Sequence, residues 1–154
     1  MFVFGGVFMY IYKYKTPSGF SDILMSGDGV YLTGLWFCDS RDALKHKFDY
    51  EEKLLPVFDD TIRWLNIYFS GGIPDFVPKY KILNSTSFRD SVIEIMNNIS
   101  YGRVITYGDI ADCIAKKRGL SRMSSQAVGG AVGWNPICII IPCHRVVGSN
   151  GSLT

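Results

Sequence analysis

The feature that most constrains this chain is an apolar run that ends in proline, cysteine and two basic residues. Residues 135–147 have the sequence NPICIIIPCHRVV. The aliphatic side chains predict a buried, strand-like segment, and Pro142 should end it, because proline has a fixed φ and no backbone donor. The imidazole of His144 and the guanidinium of Arg145 favour the thiolate of Cys143 over the thiol, whose ordinary pKa is about 8.5. The segment therefore predicts an activated cysteine nucleophile, with simple packing of a small apolar residue as the alternative.

The other cysteines, Cys38, Cys113 and Cys138, are better explained as small core residues, because cysteine is among the most buried residue types. Four cysteines without a regular spacing predict reduced thiols in an intracellular protein, cytoplasmic or, in a eukaryote, nuclear. No metal site is expected, because the cysteines are scattered and His46 has no potential ligand near it in sequence.

Length and charge set further limits. The 154 residues can form one small protein or two small units with a real core. The net charge of +2 is too small to indicate nucleic-acid binding by itself, although residues 116–122 contain four basic residues and no acid. No apolar run reaches membrane-spanning length, so no contact with a membrane is expected. Residues 1–9 are apolar but lack the flanks of a secretory signal, which favours a strand there.

Three segments in the first half have the aromatic and alternating character of strands, at residues 10–15, 20–25 and 30–37. Glycine- and proline-containing turn signals separate them. Because short turns join consecutive strands, the pattern predicts an antiparallel meander.

A helix is predicted to follow the meander, because Pro56 is suited to the first turn of a helix. Between them, residues 41–47 fit a short helix or a loop, with His46 on the surface. The proline-containing residues 72–85 have the character of a linker. Residues 1–80 are therefore expected to form an α/β domain.

The second half has the periodicity of helices. Three are predicted: one capped by Thr86 or Ser87, one from Thr106 through Ala115, and one from Ser124 or Ser125 to about Gly133. The last two flank the basic residues 116–122 and together have the pattern of a helix-turn-helix. Residues 85–154 are therefore expected to form a mostly helical domain.

The last of these helices is rich in small residues, a poor choice for its own stability. It contains Ala127, Gly129, Gly130, Ala131 and Gly133, and each glycine costs about 1 kcal/mol relative to alanine. Close packing against another helix is one explanation. A smooth surface that enters a narrow groove of a partner is the other.

Several of these segments resemble the O6-alkylguanine-DNA alkyltransferase family, also known as methylated-DNA–protein-cysteine methyltransferases. The motifs are PCHRV at residues 142–146 with the preceding Asn135-Pro136, AVGGA at 127–131, YGRVITY at 101–107 and, more loosely, LTGLWF at 32–37. They cover about half of the chain, and their combination is specific. The resemblance implies a ribonuclease-H-like α/β unit, with antiparallel strands and a helix, followed by a helical domain containing a helix-turn-helix.

The resemblance also implies an activity. Family members repair DNA by transferring an alkyl group from O6-alkylguanine, and in some cases from O4-alkylthymine, to a cysteine, here Cys143. The transfer is irreversible, consumes one protein molecule per lesion and needs no cofactor. The expected partner is double-stranded DNA that contains O6-alkylguanine, bound by a monomer through the minor groove.

Roles at the reaction centre follow by the same resemblance. His144 would take the proton of the Cys143 thiol through a water molecule, and Tyr107 would donate a proton to the departing base. Asn135 would brace the turn before the nucleophile. Pro142 and Arg145 would shape that turn, the latter through backbone carbonyls, and Val132 and Val146 would line the substrate pocket.

The base must leave the duplex to react, and family members fill the gap with an arginine of the recognition helix. Gln126 stands at that position, without the charge and the planar stacking of a guanidinium. The residues expected to contact DNA are Gln126, Ala127, Gly130, Ala131, Ser149 and Arg89, with Lys116, Lys117, Arg118 and Arg122 as further candidates for phosphate contact. For any one cation, a solvated surface position is an equally good interpretation.

In the family pattern, the positions after Thr154 normally form a glycine-rich loop that bears a tyrosine. A helix follows, with an acidic residue that orients the histidine. A relative that binds alkylated DNA and senses the lesion, with weak or no transfer, is therefore the main alternative. A plain helix-turn-helix regulator would not explain Pro142, Cys143 and His144. A cysteine–histidine hydrolase would turn over, whereas a transferase of this kind would react once.

Overall fold

The computed structural model describes residues 9–40 and 50–152. The predictions for residues 1–8, and for residues 41–47 with His46, lie outside these described residues. A first compact unit ends at Leu83 and a second begins at Asn84.

The first unit contains the predicted antiparallel meander. It consists of β1 (Met9–Tyr14), β2 (Ile23–Gly27) and β3 (Leu32–Phe37). The second strand begins later than predicted, because Thr16 is held in the turn by its hydroxyl, which donates to the Phe20 carbonyl at 2.9 Å. The third also begins late, because the Asp28 carboxylate accepts the Tyr31 amide at 2.8 Å and keeps the chain in a turn.

A fourth strand, β4 (Tyr50–Glu52), pairs in parallel with β1, so the strand order is β3-β2-β1-β4 and the sheet is mixed. The prediction of antiparallel strands alone was therefore incomplete. Three residues, two of them exposed glutamates, carry no alternating pattern from which a strand could be recognised.

Helix α1 (Pro56–Phe69) begins at the predicted proline, which occupies its first turn. Phe58 and Leu65 are fully buried. Gly27 of β2 permits the helix to approach, since a side chain there would stand 3.1 Å from the Phe58 ring. The sheet and the helix together confirm an α/β first unit.

The segment predicted as a linker is partly bound to the sheet. The amide of Leu32 donates to the carbonyl of Lys79 at 2.8 Å, and the amide of Lys81 donates to the carbonyl of Leu32 at 2.9 Å. Tyr80 therefore lies beside β3 and forms an isolated parallel bridge with Leu32.

The second unit is mostly helical, as predicted. Its elements in chain order are α2 (Ser87–Asn97), β5 (Ile105–Thr106), α3 (Tyr107–Lys117), α4 (Ser125–Gly133), a 3-10 helix (Cys143–Arg145) and β6 (Val146–Val147). At the start of each of these three α-helices, the side chain of the N-cap residue accepts a hydrogen bond from a backbone amide of the first turn. These N-cap residues are Thr86 for α2, Thr106 for α3 and Ser124 for α4. Helix α3 runs two residues beyond the predicted end, so its last turn contains Lys116 and Lys117, which suit the negative end of the helix dipole.

The apolar run before the nucleophile is not a strand, and this prediction was wrong. Ile137 forms an isolated bridge and residues 138–141 form turns and a bend, whereas the strand β6 comes only after the 3-10 helix, where it pairs in parallel with β5. The amide of Ile137 donates to the Asn135 side chain, and the amides of Ile140 and Ile141 donate to carbonyls of the same segment. Hydrophobicity identified the burial of this segment but not its conformation.

Among the described residues, no helix has both the length and the apolar character that a membrane span requires.

Candidate active site

The turn that leads to Cys143 is fastened by the side chain of Asn135. Its Nδ2 donates to the carbonyl of Ile141 at 2.9 Å, and its Oδ1 accepts the amide of Ile137 at 3.0 Å. Asn135 is itself buried. One amide group thus closes the loop from both ends, because it satisfies a donor at the start and an acceptor at the end.

Two tight turns follow within this loop. The amide of Ile140 donates to the carbonyl of Cys138 at 2.8 Å, around Ile139 with φ = 69°. The amide of Cys143 donates to the carbonyl of Ile141 at 2.8 Å, around Pro142 with φ −81° and ψ 65°. The second is an inverse γ-turn, and it redirects the chain at the proline.

Cys143 begins the 3-10 helix and is half-buried. It therefore combines a fixed backbone with partial access to solvent, as a nucleophile requires. No disulfide joins the four cysteines, all of which lie in the described part of the chain.

His144 is exposed as a residue, yet its pKa is lowered from the ordinary value of 6.5. Partial burial of the imidazole is the larger cause, and the positive charge of Arg145 is the second. Both favour the neutral imidazole. At neutral pH this side chain is therefore suited to accept a proton, more than to stabilise a thiolate as a cation.

Arg145 binds a part of the chain distant in sequence. Its Nη1 donates to the carbonyl of Ile99 at 3.1 Å, and its guanidinium lies over the ring of Tyr101, 4.2 Å from the centroid. The prediction that Arg145 binds backbone carbonyls holds for Ile99. The carbonyl belongs to the segment after α2, however, and not to the turn before Cys143.

Tyr107 is the first residue of α3 and is half-buried. Its ring faces α4, since a side chain on Gly129 would stand 3.9 Å from the ring carbons Cδ1 and Cε1. The capping box of Thr106 and Asp109 fixes the start of the helix and so the position of Tyr107.

Helix α4 presents one face of very small or polar side chains. Gln126, Ala127, Gly130 and Gly133 are exposed. A side chain at Gly130 or Gly133 would meet no atom of the described chain within 4 Å. Packing among the described residues therefore does not require these two glycines, and it does not explain them. We call this set the smooth face of α4.

Three residues assigned to contacts with DNA or substrate are buried instead. Ala131, Val132 and Val146 are 5%, 4% and 1% exposed. Ala131 lies one helical turn after Ala127, so it borders the smooth face, but its own side chain is buried. Their apolar side chains form core in this conformation and do not line an accessible surface.

Several cations predicted to contact phosphate have partners within the second unit. The Arg89 guanidinium lies 4.1 Å from the centre of the Trp134 ring, and Arg118 donates to the Ser87 hydroxyl at 3.2 Å. Lys117 pairs with Glu94 at 3.7 Å, with both side chains largely exposed. Arg89 and Arg118 thus contact side chains of their own unit, and an exposed ion pair such as that of Lys117 contributes little to stability.

The remaining predicted DNA contacts are exposed: Lys116, Arg122 and Ser149. Ser149 lies in a turn closed by the amide of Gly148, which donates to the carbonyl of Ser152 at 2.8 Å. Within the described residues, no cluster of three or more histidine, cysteine or acidic side chains could hold a metal ion.

A cavity of about 420 Å³ lies elsewhere in the second unit, lined by Ile95, Asn98, Ile99, Ser100, Arg103, Val104, Ile105, Cys113 and Lys117. None of the residues predicted for the reaction centre borders it.

Comparison with known proteins identifies the family. Residues 87–154 match the DNA-binding domain of 6-O-methylguanine DNA methyltransferase. The methylated-DNA–protein-cysteine methyltransferase of Haemophilus influenzae is 34% identical over 95% of this chain and 77% of its own length. That of Methanosarcina barkeri is 38% identical over 95% of this chain and 87% of its own. The chain belongs to the methylated-DNA–protein-cysteine methyltransferase family.

Solved structures show the same fold. The crystal structure of the Mycobacterium tuberculosis O6-methylguanine methyltransferase superposes with a TM-score of 0.76 and 30% identity, over 95% of this chain and 82% of that one. The same protein has been solved in complex with DNA, and that structure also has a TM-score of 0.76, over 94% of this chain and 82% of that one. DNA is therefore a partner of a methyltransferase with this fold.

In this methyltransferase, three features of the second unit could not be predicted from the sequence. The left-handed conformation of Ile139 could not be predicted, because isoleucine is among the residues least suited to it. The Ile141 carbonyl accepts two hydrogen bonds, and this could not be predicted because every residue type has the same backbone carbonyl. The stacking of Trp134 on Arg89 joins residues 45 positions apart, and no periodicity relates them.

Proposed function

We propose that this methyltransferase repairs O6-alkylguanine in DNA by transferring the alkyl group to Cys143, once per protein molecule. In this step the thiolate sulfur forms a bond to the alkyl carbon, and the bond from that carbon to O6 breaks. The electron pair goes to the guanine, which a proton neutralises. Membership of the family and the placement of Cys143 in a braced, half-buried turn support the proposal.

The neighbouring residues suit the two proton movements. His144 is kept neutral by burial and by Arg145, which lower its pKa, so it can accept the thiol proton directly or through water. Tyr107 is the candidate donor to the departing base, since its ring is held at the start of α3 and faces α4. Asn135 is a positioning residue, because its contacts are with the turn. The proposed reaction uses no cofactor.

The proposed partner is double-stranded DNA, with α3 and α4 acting as a helix-turn-helix and the smooth face of α4 in the minor groove. The carrying observation is the open space beside Gly130 and Gly133. These glycines reduce helix stability and are not needed for internal packing. A narrow DNA groove that leaves no room for side chains would explain them. O4-alkylthymine is a second proposed lesion. The protein would act as an intracellular monomer, and its first unit would be a ribonuclease-H-like fold.

The decisive experiment is intact-protein mass spectrometry after incubation with a duplex containing O6-methylguanine. We expect the mass of one methyl group, located on Cys143 by peptide mapping. Cys143→Ala should abolish the gain, and Cys138→Ala, in the same turn, should preserve it. A gain that survives Cys143→Ala would disprove the assignment of the nucleophile.

The same samples separate transfer from the lesion-sensing alternative. Retained, lesion-selective binding of the duplex without any gain of mass would support that alternative. Continuous release of product beyond one equivalent would support a hydrolase.

A further inference from the structure

Ile139 has a backbone conformation that its side chain strongly disfavours. Its φ of 69° lies in the left-handed region, where a β-branched residue is a clear outlier. The other described non-glycine residue with positive φ is Asn84, a type that adopts this conformation far more readily. Ile139 also stands at the centre of a γ-turn of the strained type, closed by the Ile140 amide on the Cys138 carbonyl at 2.8 Å.

The strain is retained because the surrounding structure fixes the turn from several directions. The Ile139 side chain is buried, only 9% exposed, so its release would expose apolar surface. Outside the γ-turn, the amide of Ile141 donates to the carbonyl of Ile137 at 3.1 Å. Asn135 binds both of these residues through its side chain.

The far end of this arrangement is the nucleophile. The Ile141 carbonyl accepts hydrogen bonds from the Asn135 side chain and from the amide of Cys143. A change in the conformation of Ile139 would rotate the peptide units between Cys138 and Ile141, and with them the carbonyl that holds Cys143. Strained residues persist where the neighbouring structure imposes them, and they concentrate at functional sites.

We infer that Ile139 is a positioning residue for the transfer reaction: its buried side chain locks the strained turn that aims the thiol of Cys143. This inference rests on the proposed function of Cys143 as alkyl acceptor. Ile139 does not touch the reacting atoms, and its effect is exerted through the Ile141 carbonyl. The chain accepts a disfavoured backbone here because glycine, which would relieve the strain, would provide no anchor.

The first test concerns the strain and does not depend on activity. Ile140, 8% exposed, provides a matched control in the same turn. The Ile140→Gly variant should be less stable than Ile140→Ala, because glycine increases the conformational entropy of the unfolded chain. At Ile139 the order should reverse, with the unfolding equilibrium constant of Ile139→Gly about fivefold smaller than that of Ile139→Ala. Urea unfolding measures both pairs, and the same order at both positions would overturn the inference.

The second test separates positioning from general stability. Transfer from O6-methylguanine DNA is compared with alkylation of Cys143 by iodoacetamide, at temperatures where every variant is folded. A misplacement of about 1 Å can cost about a hundredfold in an aligned reaction, whereas a small free reagent needs no alignment. Ile139→Gly and Ile139→Ala should lose at least tenfold in transfer and less than twofold in reaction with iodoacetamide. Ile139→Val, which keeps the branched anchor, should restore most of the transfer rate.

Wild-type transfer by Ile139→Gly, or an equal loss of both reactions, would disprove a positioning role. If the wild-type protein transfers no methyl group at all, the proposed function fails, while the comparison of glycine and alanine still decides whether the turn is strained.

Discussion

Asn135 and Cys143 are hydrogen-bonded to the same oxygen atom. The carbonyl of Ile141 accepts the Asn135 Nδ2 at 2.9 Å and the backbone amide of Cys143 at 2.8 Å. The carbonyl can accept both, because it has two lone pairs. The side chain that braces the loop and the residue proposed to react are therefore connected through one peptide group.

This connection predicts that Asn135→Ala impairs stability and transfer together. The substitution leaves the Ile137 amide without its bond to Asn135 and removes one of the two bonds to the Ile141 carbonyl. An unsatisfied buried group costs about 1–3 kcal/mol, so the free energy of unfolding should fall by about 2 kcal/mol. Urea unfolding measures this loss, and the mass assay measures transfer.

Asn98→Ala is the matched control. The side-chain Nδ2 of Asn98 donates to the carbonyl of Glu94 at 2.9 Å, but this bond is exposed at the end of α2. It should cost well under 1 kcal/mol and leave transfer intact. Equal losses for the two variants would contradict the role of Asn135.

Regular elements with local signals were predictable from the sequence. Pro56 indicates the start of α1, because capping depends on residues next to the helix itself. For α2 and α4 the sequence offers two adjacent caps each, and the structure uses Thr86 and Ser124. β4 was missed because its pairing with β1 is non-local, and its three residues have no pattern of their own.

For the proposed reaction centre, the sequence predicts candidate residues but not their geometry. The order of Pro142, Cys143 and His144 indicated a nucleophile, and the family resemblance supplied Asn135. The apolar run looked like a strand because hydrophobicity reports burial, and turns can be as buried as strands. That Ile139 is left-handed depends on tertiary packing, which overrides its local preference.

The open space beside Gly130 predicts opposite effects on stability and on DNA binding. Gly130→Ala should stabilise the protein by about 1 kcal/mol, because alanine is the better helix former and its methyl group meets none of the described atoms within 4 Å. The same methyl group stands on the smooth face, so affinity for duplex DNA should fall about tenfold, or 1.4 kcal/mol. Thermal unfolding and fluorescence anisotropy measure the two effects.

Gly129→Ala serves as control, because its methyl group would face the Tyr107 ring at 3.9 Å, an ordinary contact distance. It should give a similar gain in stability with a smaller loss of affinity. Unchanged affinity in Gly130→Ala would contradict the assignment of the smooth face to DNA.

The lowered pKa of His144 predicts the acid side of the pH–rate profile. If the neutral imidazole accepts the thiol proton, transfer should persist below pH 6.5 and decline only as pH falls through the lower folded-state value. Arg145→Met removes the second cause of the shift, so the pKa of His144 should rise and the decline should begin at higher pH. Single-turnover rates and NMR titration of the imidazole provide the two measurements. A rise in transfer on acidification would contradict this role.

The lowered pKa of His144 also predicts how the free energy of unfolding changes with pH. Because the unfolded chain binds the proton of His144 more readily, the protein should lose stability as pH falls from 6.5 through the lower folded-state pKa. His144→Asn should lack this component in urea unfolding at a series of pH values. An identical pH dependence in both proteins would mean that other groups are responsible.

Gln126 should affect the opening of the duplex and not the transfer itself. It is exposed, near the start of α4, at the position where the family resemblance places an arginine. A guanidinium adds planar stacking and a cation–π interaction of about 0.5–1 kcal/mol at an exposed site, which would hold the flipped state open. Gln126→Arg should therefore accelerate repair of duplex DNA severalfold, and free O6-benzylguanine, which needs no flipping, should react at an unchanged rate.

Gln126→Lys is the control for charge, since it adds a cation without the planar group. Both rates are followed by the mass of the alkylated protein. An equal change with the free base would show that Gln126 acts on the substrate pocket, and equal acceleration by lysine would show that charge alone is sufficient.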